Sequence, residues 1–160
     1  MHPKGLWRRL GVVLASLALV FTVNGLSTSS VAHAAYGCSG SLIDTYNVKT
    51  SSGTVYGRIR LYYSSASGGT NCAVMVSTTA GGYGVDGTYL SVHLRRCAQT
   101  VPGSTCTVTA EKREAWYFIY YAGPVKVTST AGRCVWVTGT VFYKNKEGFG
   151  TSSPRASHCG

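Results

Sequence analysis

Acid–base or nucleophilic chemistry needs a positioned histidine, a matched carboxylate pair or an activated thiol, and this 160-residue chain offers few of each. His2 and His33 fall in a leader-like stretch, which leaves His93 and His158. His93 occupies an outward position beside Arg95, where a solvated surface histidine is expected, because a general base also needs a positioning partner. His158 stands next to Cys159 at the extreme C-terminus, a poor place to hold a base rigidly. The five acids are Asp44, Asp86, Glu111, Glu114 and Glu147. Glu111 and Glu114 flank Lys112 and Arg113, and E-K-R-E reads as a mixed-charge, solvated loop. Glycoside hydrolysis would instead need two opposed carboxyls in matched environments. Asp44, inside the half-apolar run L-I-D-T-Y, is the acid of most interest; a buried carboxylate held by backbone donors or an arginine is the structural expectation there. A small hydrolase would need Asp44 or Glu114 beside His93 in one cleft. The sequence has no G-x-S-x-G, H-E-x-x-H, P-loop or dinucleotide fingerprint. No catalytic residue and no cofactor are expected, and the chain reads as a non-enzyme.

The six cysteines are Cys38, Cys72, Cys97, Cys106, Cys134 and Cys159. Structural zinc sites space their ligands two to four residues apart in pairs. No C-x-x-C occurs here, and the four-residue spacing of His93 and Cys97 falls on strand-like sequence, so no metal site is expected. An even count in a small exported domain reads as three disulfides. Pro102-Gly103 near the middle of the Cys97–Cys106 segment is a turn former, which predicts a local hairpin staple, Cys97–Cys106. The other four cysteines allow three pairings, of which Cys38–Cys72 with Cys134–Cys159 is the simplest.

Export itself is read from the start of the chain. Lys4, Arg8 and Arg9 precede the apolar run Leu10 to Val23; a polar stretch then leads to Ala32-His33-Ala34. This order is that of a cleavable signal peptide over residues 1–34. Thr22, Asn24 and Ser27 break the run short of the roughly 20 apolar residues that a span needs. Cleavage would leave residues 35–160, one small domain with no membrane segment. Loss of Lys4, Arg8 and Arg9 lowers the net charge from +10 to +7.

The elements that would position these groups are strands. Segments 54–63, 71–78, 89–97 and 105–110 alternate with period two, and Leu90, Val92 and Leu94 oppose Ser91, His93 and Arg95. Trp116 to Tyr121 (W-Y-F-I-Y-Y) is aromatic on both faces and predicts a central strand covered on both sides. Segments 42–49, 124–128 and 133–144 complete about eight strands, with Gly139 read as a bulge. Gly- and Ser-rich turns separate them, and no helical period persists. The fold class is all-β, a small disulfide-stapled sandwich or barrel.

All eleven tyrosines follow the leader. Tyr62, Tyr117, Tyr120 and Tyr121, with Arg58 and Arg60, form a candidate ligand-binding surface, because exposed aromatics beside cations hold sugar rings or anionic polymers. For an exported protein the available partners are cell-wall glycans and anionic wall polymers, and nucleic acid is not expected. The competing reading is that tyrosines fill and rim a β-core.

Four segments in order, Cys38-Ser-Gly-Ser-Leu-Ile-Asp-Thr-Tyr46, Asn71-Cys-Ala-Val74, Tyr120-Tyr-Ala-Gly-Pro-Val125 and His158-Cys-Gly160, resemble the spore-associated protein A family of Streptomyces and related actinomycetes. The resemblance spans Cys38 to Gly160. It implies a small exported protein found with aerial hyphae and spores, and it carries no activity or functional residue to these positions. The segments 111–114 and 144–147 depart from that pattern. The expectation is a secreted, non-enzymatic, spore- or cell-surface-associated protein; the alternative is a binding module or inhibitor acting through the tyrosine-rich basic surface.

Overall fold

The computed structural model describes residues 35–103, 105–152 and 156–160, so the expected signal peptide lies outside the described residues. Eight strands follow one another: β1 (Ser41–Thr50), β2 (Val55–Ser64), β3 (Thr70–Ser77), β4 (Tyr89–Cys97), β5 (Val108–Tyr117), β6 (Tyr121–Thr128), β7 (Val135–Tyr143) and β8 (Lys146–Thr151). They form one antiparallel sheet in the order β5-β4-β7-β8-β1-β2-β3-β6. The sheet curls until β6 packs against β4 and β5, giving a nearly closed barrel. Of the two architectures expected, the barrel is the one adopted.

Inward residues follow the period-two pattern. Val48, Ile59, Leu61, Met75, Leu90, Val92, Leu94, Val137 and Val141 fill the interior, all fully buried. Gly139 is not a bulge: it pairs in register with Val92 and Gly150. It is glycine because an added Cβ would lie 2.2 Å from Met75 Cε, and at Gly57 one would lie 2.9 Å from Met75 Sδ. The two glycines leave the space that the Met75 thioether fills.

β3 is the strand buried on both faces. Its outward residues Cys72, Val74 and Val76 form a second apolar cluster with Tyr62 and Cys38, covered by the segment 35–40. The expectation that Trp116 to Tyr121 would be the doubly covered strand is overturned. β5 is an edge strand ending at Tyr117, and Trp116, Tyr117, Ile119, Tyr120 and Tyr121 are exposed. Only Phe118 packs on the core. E-K-R-E is likewise not a loop but the middle of β5, where an edge strand can carry charges on both faces.

β5 and β6 share no backbone ladder. Side chains tie the seam instead: the Gly123 N–H donates to Glu114 Oε2, and Arg96 Nη1 donates to Thr128 O at 2.9 Å. With the charges of β5 and with Pro124, which has no N–H, these contacts blunt two open edges.

All three expected disulfides are present, Cys38–Cys72, Cys97–Cys106 and Cys134–Cys159. Each lies at the end of the barrel where β4 and β6 finish and β5 and β7 begin. Cys97, Cys134 and Ala156 form a third buried cluster there, joined by Cys106, Trp136 and Cys159. Such bridges fit folding in an oxidising compartment, and no helix among the described residues is long and apolar enough to cross a membrane.

Candidate functional site

The two ends of the barrel differ in kind. At the end where β4 begins and β5 finishes, aromatic rings crowd the surface. Tyr89 is paired with Tyr117 on one side and Phe142 on the other. The Tyr89 and Tyr117 rings lie 5.7 Å apart, and Trp116 meets Tyr117 at 5.9 Å. Tyr83, from the Gly-rich loop between β3 and β4, lies 5.1 Å from Tyr120. Trp116 is 67% exposed, Tyr117 57% and Tyr120 50%.

These rings stand on fixed backbone. Phe118 N donates to Thr88 O at 2.9 Å, Gly84 N to Ile119 O at 2.8 Å, and the Ser77 hydroxyl to Tyr120 O at 3.1 Å. The link between β5 and β6 therefore bridges the two sheet edges. An added Cβ at Gly81 would fall 1.9 Å from Tyr56 O, so only glycine lets the 3₁₀ turn Thr79–Gly81 approach β2 this closely.

The sequence-derived binding set is only partly assembled here. Tyr117, Tyr120 and Tyr121 belong to this end. Tyr62 does not: it is 5% exposed, buried beneath the segment 35–40. Arg58 and Arg60 lie on the outward face of β2, and Arg60 stacks 5.1 Å over Tyr36, whose ring is 5.1 Å from Tyr121. Trp116, Tyr83, Tyr89 and Phe142 complete the surface and are absent from that set; the one signal for Tyr83 is its place in the loop A-G-G-Y-G.

His93 sits on the outer wall between β5 and β7, and it is not the solvated histidine expected there but a partly buried ring held by two partners. Arg95 Nη2 donates to its Nδ1 at 2.5 Å, so the neutral ring carries its proton on Nε2 and donates to Glu111 Oε2 at 2.9 Å. Partial burial and the Arg95 charge hold its pKa below the ordinary value, against the pull of Glu111. Arg95 also stacks 4.4 Å over Trp136. Glu114, the acid sought beside His93, instead faces the seam.

At the stapled end the structure corrects two expectations. His158 is held, not loose: Ser157 exchanges backbone hydrogen bonds with Val135 at 2.7 and 3.0 Å, and Cys159 is bonded to Cys134. Asp44 is not buried beside an arginine but partly open, opposite Leu61 on the inward face of β1, two residues from Tyr46. His158 Nε2 faces Asp44 Oδ2 at 3.1 Å and the Tyr46 hydroxyl. Burial pushes the Asp44 carboxyl up, but hydrogen bonds from Tyr46 and the Thr45 N–H and the His158 charge outweigh it, and the pKa falls below its usual value. Burial and the neighbouring Asp44 push the Tyr46 phenol well up. Asp44 and His158 are 114 residues apart, and no local motif announces the pair.

Among the described residues no three His, Cys, Asp or Glu side chains gather as a metal site. No family model, no curated protein and no solved structure matches this chain.

Proposed function

We propose that this is an exported, non-enzymatic protein that associates with the spore or cell surface by laying its aromatic end on wall glycan. The observation that carries the reading is the set of exposed rings at one end, Tyr83, Trp116, Tyr117, Tyr120 and Phe142, carried on hydrogen-bonded backbone. Large exposed apolar patches mark interaction surfaces, and flat rings stack on sugar faces while presenting polar edges to water. Lys144 and Lys146, in the β7–β8 hairpin at the same end, supply positive charge toward anionic wall polymers. The non-enzymatic part is supported at His93, whose two ring nitrogens are both engaged. Association with spores rests on the family resemblance.

Sedimentation with purified actinomycete cell walls and intact spores tests the proposal. The oxidised protein is expected in the pellet, and Trp116→Ala/Tyr120→Ala in the supernatant with an unchanged melting temperature. Wild-type protein that stays wholly in the supernatant with both would contradict it.

A further inference from the structure

The stapled end holds a cavity of about 360 Å³ in the mouth of the barrel, lined by Ile43, Tyr63, Asn71, Thr130, His158 and Cys159. That volume is at the small end of the range for ligand sites. Thr130 is 1% exposed, and its hydroxyl has no hydrogen-bond partner. An unpaired buried hydroxyl costs about 1–3 kcal/mol, so native proteins rarely keep one without a reason. Asn71, also buried, donates from Nδ2 to Tyr62 O at 3.4 Å, and no partner among the described residues reaches its Oδ1.

His158 adds a third polar group. Its φ of +48° lies in the left-handed region, which a residue other than glycine seldom occupies. The flanking bridge to Val135 and the Cys134–Cys159 disulfide hold it there. Because the Asp44 carboxylate only accepts, His158 Nε2 carries a proton and donates to it, which leaves Nδ1 as the ring's remaining polar atom. Backbone strain fixed by its surroundings and a ring oriented by a carboxylate are features of a built site.

We infer that this mouth is a binding site for a single sugar ring. Asn71 Oδ1 accepts, the Thr130 hydroxyl can donate or accept, and His158 Nδ1 is a further polar contact, so the ligand that fits brings groups able to do both. Gly160 also lines the cavity, beside His158 and Cys159. Neutral hydroxyls fit, and the Tyr63 ring with Ile43 and the disulfide offers an apolar wall for the C–H face of a pyranose. The site lies at the opposite end from the aromatic surface and does not depend on the reading of that surface.

NMR titration of the oxidised, isotope-labelled protein with glucose, galactose and N-acetylglucosamine in the millimolar range tests it. At least one of the three is expected to give saturable shifts at the Asn71 side-chain amide and the Thr130 methyl. Thr130→Val, nearly isosteric, should weaken that binding about tenfold, the worth of one hydrogen bond. Its melting temperature should stay level or rise, because the unpaired hydroxyl is gone. His158→Gln should weaken binding to a similar degree. Shifts from none of the three sugars, or undiminished binding by Thr130→Val, would overturn the inference. Shifts confined to Tyr117 and Tyr120 would also overturn it while leaving the aromatic-end proposal standing.

Discussion

The aromatic end and the stapled end close the same barrel by different means. At the stapled end three disulfides, a buried cluster of cysteines and the Ser157–Val135 bridge hold loops that have little apolar surface of their own. At the aromatic end no disulfide is present among the described residues; hydrogen bonds through Thr88, Ser77 and Ile119 and close glycine packing at Gly81 do the holding. The rings there are left largely in water. A fold that had to bury Trp116 and Tyr117 for stability would not expose them this far, so their contribution to stability is small. Covalent stabilisation at one end leaves the side chains of the other free for contact with a partner.

Removing a staple should have the largest effect. Cys134→Ser/Cys159→Ser is expected to cost about 2–4 kcal/mol in chemical denaturation, with faster hydrogen exchange at Val135 and Ser157 and little change at Tyr89. Uniform acceleration over both ends would break the division. Next comes the shared interior: Gly139→Ala drives a Cβ into Met75 and should cost about 1–3 kcal/mol by overpacking. Pairing it with Met75→Ala should recover part of the loss in the same denaturation experiment, and no recovery would remove the packing account.

The pH response separates the outer wall from the stapled end. His93 has a lowered pKa when folded, so as pH falls below the ordinary 6.5 the unfolded chain takes up the proton first. Stability is full above that value and is lost as pH falls toward the folded pKa. Burial, Arg95 and Arg113 lower it and Glu111 opposes them, and His93→Gln should flatten this limb of a stability–pH curve. Asp44, also lowered, contributes stability above 3.8 that is lost as pH falls further. Asp44→Asn should flatten only the acid limb, read by exchange at the stapled end. The smallest change in stability is expected from Trp116→Ala/Tyr120→Ala, within about 0.5 kcal/mol of wild type, as for surface substitutions.

Local chemistry makes the stapled end partly legible in the sequence alone. Pro102-Gly103 marks the Cys97–Cys106 hairpin, and alternation puts Leu90, Val92 and Leu94 inside. The number of strands agrees through two compensating errors. Segments 105–110 and 116–121 overlap the two ends of one strand, β5, and β8 escapes pattern reading because K-E-G-F-G-T, with two glycines and two charges, lacks strand character. The turn before β8 is hidden too: Lys144 and Asn145 both take positive φ, as a type I′ hairpin turn requires, but lysine is not a usual turn former. W-Y-F-I-Y-Y misleads because apolar content signals burial on average, whereas exposure depends on whether another strand arrives, which only the topology decides. The Asp44–His158 pair and the unpaired Thr130 hydroxyl arise from contacts across the closed barrel, beyond the reach of spacing.

A single wall-retention experiment with two variants side by side tests the division between the ends most directly. Trp116→Ala/Tyr120→Ala should lose sedimentation with cell walls while melting like wild type. Cys134→Ser/Cys159→Ser, assayed at a temperature where it remains folded, should sediment like wild type while melting earlier. Retention lost with the disulfide variant and kept by the aromatic one would contradict the account.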